Sequence, residues 1–160
     1  MTTPRSMMSM MDRHTHLDAL FLEHQTAVLD RDLTSARGAL EAYALALDAH
    51  ISEEEKHILP LYRARVPEQP GGQTQMFLDE HARIRLLLGE LVKRVDALAA
   101  AADRPDAKTV LLLLEQETQF RNYMDHHDRR ERAFLYPGLD GVTTPEERDA
   151  LLATLGIPAA

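Results

Sequence analysis

A chain of 160 residues, 44 % of them apolar, is sized and composed for one domain with a modest core. A net charge of −8 argues against a nucleic-acid surface, and the absence of Cys excludes disulfides and thiolate metal sites. Leu, Ala, Glu, Arg and Asp dominate and Trp is absent, a helix-forming vocabulary that predicts an all-α fold.

Residues 1–12 contain several Met but no uninterrupted apolar run, so they are expected to form a disordered tail and not a signal peptide. From about His14 to Asp30, Leu17, Leu20, Phe21, Val28 and Leu29 recur at helical spacing. The stretch DLTSARG, 32–38, carries cap-type residues and a glycine and is expected to end that helix. A second helix runs through LEAYALALDAHISEEEKHILPLYRA and stops before VPEQPGG, 66–72. A third covers about 74–101, with Phe77, Ile84, Leu87, Leu88, Leu91 and Val95 on one side. After ADRPD, 102–106, a fourth runs from about 107 to 135 and is expected to stop at YPG, 136–138. Thr144-Pro145-Glu146-Glu147 has the form of a capping box and predicts a short helix over about 145–154. Short connections between long helices predict an up-down-up-down antiparallel four-helix bundle over 13–137, followed by a C-terminal tail, 138–160, with one short helix. The longest apolar runs, VLLLL at 110–114 and ALAAAA at 97–102, are too short to span a bilayer. Neither a nucleic-acid nor a membrane partner is therefore expected, and the expected location is the cytoplasm.

The functional signal is a repeat. HISEEEKHILP, 50–60, and HDRRERAFLYP, 127–137, are both His-x-x-x-Glu with a Pro ten residues after the His. Positions i and i+4 on a helix differ by about 40° and roughly 6 Å of rise, so each His/Glu pair projects from one face. The other two helices each carry one mid-helix His, in FLEH ending at His24 and LDEH ending at His81. In an antiparallel hairpin, residues equidistant from the turn lie level. The midpoint of His24 and His50 is 37, that of His81 and His127 is 104, and that of Glu54 and His81 is 67.5, each inside an expected connection. Taken singly, each lone His reads as a satisfied core or surface residue. The repeat and the shared height instead make His24, His50, Glu54, His81, His127 and Glu131 candidate metal ligands, because such a cluster would be costly to bury without a cation.

Nitrogen and oxygen donors without sulfur suit Fe, Mn or Zn, and six donors exceed a closed tetrahedral zinc site. They fit two metals, with the glutamates bridging. Around them, His57, Tyr123 and His126 are candidates for a supporting role, Glu55 could receive a proton from a ligand, and His14 and His16 are placed at a frayed helix start. A ferritin-like site would need Glu-x-x-His twice; Glu54-x-x-His57 has only Glu131-x-x-Phe134 as counterpart.

These residues resemble the hemerythrin-like, or HHE cation-binding, domains over about 14–137, with Pro60 and Pro137 matching that family's helix-ending proline. The resemblance implies a four-helix bundle holding two iron ions with an oxo or hydroxo bridge. It also implies a small-molecule partner: O2, peroxide or NO. Oxygen-carrying hemerythrins add a second His one turn along the third helix, where this chain has Phe77 and Arg85. Their fourth helix uses Asp five residues after its His, where this chain has Glu at four. The likeness is therefore closer to the bacterial HHE group. An oxidase or peroxide-consuming activity is one expectation, an iron- or oxygen-responsive sensor or iron store the alternative, and a metal-free helical interaction module the third.

Overall fold

Buried side chains recur at steps of three and four residues along each long segment, which gives each a helix with one inward stripe. The computed structural model describes residues 5–101 and 103–158, and every regular element among them is helical. After a 3-10 turn at Met7–Met10 come α1 (Met11–Leu29), α2 (Leu33–Glu53), α3 (Leu59–Arg65), α4 (Thr74–Ala99), α5 (Ala107–Arg130), α6 (Tyr136–Val142) and α7 (Pro145–Thr154). The π turns Glu54–Ile58 and Glu131–Leu135 splice α2 to α3 and α5 to α6. Around the bundle α1 packs on α2, α2 on α4, α4 on α5 and α5 back on α1. None of the described helices is long and apolar enough to cross a membrane.

The first hairpin turns earlier than its glycine suggests. Arg31 takes the left-handed conformation at φ 59°, and the Asp32 N–H donates to the Ala27 carbonyl at 2.9 Å, closing α1. Asp32 then caps α2 by accepting from the Ser35 N–H at 3.0 Å. The expected break at 32–38 is therefore the first turn of α2, and Gly38 is an exposed residue inside that helix. At the other hairpin, Asp106 caps α5 through the Thr109 N–H at 2.8 Å.

Two further expectations fail. Residues 7–12 are helical where a disordered tail was expected. Met7, Met10 and Met11 are buried against Ile58, Tyr62, Phe77, Leu135 and Leu152, the flexible thioethers filling the end of the bundle; residues 1–4 lie outside the described residues. The Met7 N–H donates to Asp140 at 2.8 Å, pinning this segment to α6. The fourth helix also does not stop at YPG. A π turn precedes each proline, with the Leu59 N–H donating to the Glu54 carbonyl and the Tyr136 N–H to the Glu131 carbonyl. The widened turn relieves the clash that a proline ring makes with the carbonyl four residues back, so helix continues through Pro60 and Pro137. A Cβ on Gly138 would lie 2.9 Å from the Tyr62 ring, so glycine there permits the close contact of α6 with α3.

The core is split into two apolar clusters. On every long helix the chain passes from one to the other: Met11 to Leu17, Ile51 to Ile58, Phe77 to Ile84, Phe120 to Leu135. The polar residues between them occupy one slab.

Candidate metal centre

Between those apolar neighbours stand His14 on α1, His50 and Glu54 where α2 meets its π turn, His81 on α4, and His127 and Glu131 where α5 meets its own. None is more than 4 % exposed. The ligating atoms of Glu54, His81, His127 and Glu131 lie within 4.8 Å of one another, as do those of His14, His50 and Glu131. Glu131 belongs to both groups. Glu54 also reaches both, with Oε2 3.4 Å from His81 Nε2 and Oε1 3.7 Å from His50 Nε2. His127 Nε2 is 2.9 Å from Glu131 Oε1, and His14 Nε2 is 3.2 Å from Glu131 Oε2 and 2.9 Å from His50 Nε2.

His24 is not among them. It sits on the inward stripe of α1 but deeper in the bundle, with Nδ1 donating to the Ala36 carbonyl at 2.7 Å and Nε2 2.8 Å from Glu117 Oε1. Gln25 Nε2 donates to the other Glu117 oxygen at 3.0 Å. His24 is a satisfied core histidine, and His14, expected at a frayed start, takes its place. The physical reason is the hairpin: with the turn at Asp30–Asp32 the residue level with His50 is 14, not 24.

A second layer of carboxylates faces the imidazoles. Glu80 accepts from His127 Nδ1 at 2.8 Å and from Arg130 Nε at 2.7 Å. Glu55 is 3.2 Å from His81 Nδ1 and is held by Arg85 at 2.7 Å. Asp128 Oδ2 lies 3.0 Å from His14 Nδ1. Such partners set which ring nitrogen carries the proton and leave the other free to ligate. His50 Nδ1 faces no carboxylate and has no hydrogen-bond partner. Tyr136 was missed by sequence reasoning: its hydroxyl donates to Glu54 Oε1 at 2.7 Å and lies 3.3 Å from Glu131 Oε2, tying the two repeats together. Its only sequence signal is its position five residues after Glu131, the spacing that a π turn aligns. The supporting residues that were expected lie elsewhere. His126 is exposed and pairs with Arg130 at 2.9 Å; His57 is half-buried and makes no hydrogen bond to this cluster; Tyr123 is half-buried against the apolar core.

Charges across the cluster are strongly displaced. Burial presses His50 down to about 4. Burial also opposes protonation of His14, but Asp128 and Glu131 prevail and push it up to about 10. His127 goes the same way, burial being outweighed by Glu131 and Glu80. Burial pushes Glu131 up, yet His127 and His14 hold it well below the usual carboxylate range. Tyr136 is driven well above its ordinary value by burial and by Glu131 and Glu54, so its hydroxyl keeps its proton.

The residues present fit a cation. Glu54 Oε2 and His81 Nε2 are buried and have no hydrogen-bond partner, a costly state for polar atoms away from water. Bonds of roughly 2.0–2.2 Å to nitrogen and oxygen place donors of one ion about 3–4.4 Å apart. The 3.4 Å separation of Glu54 Oε2 and His81 Nε2 falls in that range.

A family model described as hemerythrin HHE cation binding domain matches residues 8–117. The chain belongs to the hemerythrin HHE cation-binding family. No curated protein and no solved structure matches it. The family match begins ahead of His14 and takes in His50, Glu54 and His81; it ends before His127 and Glu131. In this hemerythrin-family chain, the fold is what brings the α5 pair to the other four.

Proposed function

We propose that this protein holds two cations, iron foremost with manganese or zinc able to substitute, inside an up-down-up-down antiparallel four-helix bundle. Glu54, His81, His127 and Glu131 would hold one; His14, His50 and Glu131, with Glu54 within reach, would hold the other. The observation that carries this reading is Glu131, a fully buried carboxylate shared by two donor groups. Iron bound there supplies redox chemistry toward O2, peroxide or NO.

The chain's own residues set the terms. Glu55, Glu80 and Asp128 orient three of the imidazoles, and Tyr136 fixes Glu54 by donating its one proton. Four neutral imidazoles and two carboxylates bring two negative charges to two divalent ions. A net positive centre favours anionic or reducible small ligands.

Anaerobic Fe(II) titration should saturate at two equivalents per chain, and admission of air should then develop near-ultraviolet charge-transfer absorption. Saturation at one equivalent, or none, sinks the reading. Oxygen evolution on adding peroxide would mark catalytic turnover, and bleaching without evolution would mark binding alone.

A further inference from the structure

We propose that the seam between α1 and α5 is the passage by which divalent cations reach the centre, with Asp18 and Asp125 at its mouth as their first carboxylate contacts; this rests on the two-cation reading above. A cavity of about 300 Å³ opens on this seam, walled by Asp18, Gln25, Tyr43, Arg121, Met124 and Asp125. Four of these residues, Asp18, Tyr43, Met124 and Asp125, also wall a second pocket of about 20 Å³, whose inner lining is His14, His50 and His127. The shared wall makes one path from solvent to three imidazoles on both halves of the centre. Its inner end holds unpaired polar groups: His50, 3 % exposed, has no partner for Nδ1, and Asp128 has none for Oδ1.

Charge decides what travels it. At the mouth, Asp18 and Asp125 outnumber the one lining cation, Arg121, whose Nη1 donates to Gln25 Oε1 at 3.3 Å; further in, Asp128 faces His14 at 3.0 Å. Carboxylates lining a cleft raise the local concentration of cations and their rate of arrival, and do nothing for an uncharged gas. The inner pocket is about the size of one water, so ions pass singly and shed water as they do. Met124 is the wall residue best able to swing aside, being unbranched and flexible. Another cavity that touches His50, about 340 Å³ between α1, α2 and Gly156–Pro158, carries no such bias among its lining residues. There the one lining carboxylate, Asp12, is matched by one lining guanidinium, Arg13.

The test is stopped-flow uptake of Co(II) by metal-free protein, followed by ligand-field absorption. The double variant Asp18→Asn/Asp125→Asn alters two exposed side chains and should leave the fold intact. It is expected to load about tenfold more slowly, to lose the salt dependence of loading, and to reach the same final occupancy. Met124→Trp should also slow loading without lowering occupancy, while Ala49→Trp, at the other cavity, should leave the rate unchanged. Wild-type rate and salt dependence in the double variant overturn the passage, as does slowing confined to Ala49→Trp or a fall in occupancy at unchanged initial rate. Absence of Co(II) uptake by the wild-type chain is a different failure: it removes the two-cation reading, and the passage with it.

Discussion

His14→Ala and His24→Ala remove the same side chain from the same stripe of one helix, fourteen and twenty-four residues into the chain, and should fail in opposite ways. His14 is one of three donors in its group. Losing a mere supporting partner costs about 10–100-fold in metal affinity, so losing a donor should cost at least about 100-fold and drop occupancy from two cations to one. In the metal-free fold Glu131 still keeps His127 at 2.9 Å and Tyr136 at 3.3 Å. Removing His24 strands Glu117, which is 0 % exposed and would keep only Gln25. Breaking a buried pair by deleting one partner costs about 3–5 kcal/mol. At roughly 2–4 °C per kcal/mol for a chain of this size, the midpoint should fall by about 6–20 °C, with both cations retained at lower temperature. Metal analysis after gel filtration, paired with calorimetry of the metal-free proteins, reads both effects. One cation in His24→Ala together with two in His14→Ala would refute the placement of the centre.

Glu80→Gln keeps the shape but weakens the hold on His127 Nδ1, and chelator competition should show metal affinity lower by about 10–100-fold. Tyr136→Phe leaves Glu54 Oε1 without its donor, and denaturant titration of the metal-free protein should find it less stable by about 1–3 kcal/mol. His14 is protonated up to about 10 in the metal-free protein, so cation binding at neutral pH must expel a proton, whereas His50, held near 4, is already neutral. Calorimetry in buffers of different ionisation heat should therefore detect proton release, with affinity rising as pH climbs from 7 toward 10. For the same reason the stability that protonated His14 lends the metal-free fold is complete below its unfolded value near 6.5 and is lost as pH rises through about 10. Arg31→Gly should raise the melting midpoint, because glycine adopts φ 59° without the roughly 1 kcal/mol strain of a side chain.

Much of this was visible in one dimension. The steps of three and four residues that bury Leu17, Phe21 and Val28 on α1, and Ile84, Leu88, Leu91 and Val95 on α4, mark the helices and their inner faces. Doubling of His-x-x-x-Glu-x5-Pro singled out His50, Glu54, His127 and Glu131, and the π turns that start at both glutamates are its structural counterpart. The Met-rich start was misleading because burial of Met7 and Met10 depends on a groove made by Tyr136, Leu152 and other distant residues. Tyr136 and the outer carboxylates Glu55, Glu80 and Asp128 were obscure, or at best weakly marked, because nothing local distinguishes them from solvated neighbours.

Helix, inward stripe and the chemistry of the donors are properties of short stretches, so the amino-acid order alone determines them. Which histidine of α1 joins the cluster is not such a property. His14 and His24 both face inward at helical spacing, and the choice rests on where the chain reverses. Arg31, with no glycine to announce it, makes that reversal seven residues before Gly38, and a shift of the turn moves every level contact between α1 and α2 by twice as many positions. Tertiary structure alone decides it, because the height of a residue in a bundle is set jointly by two helices and the turn between them.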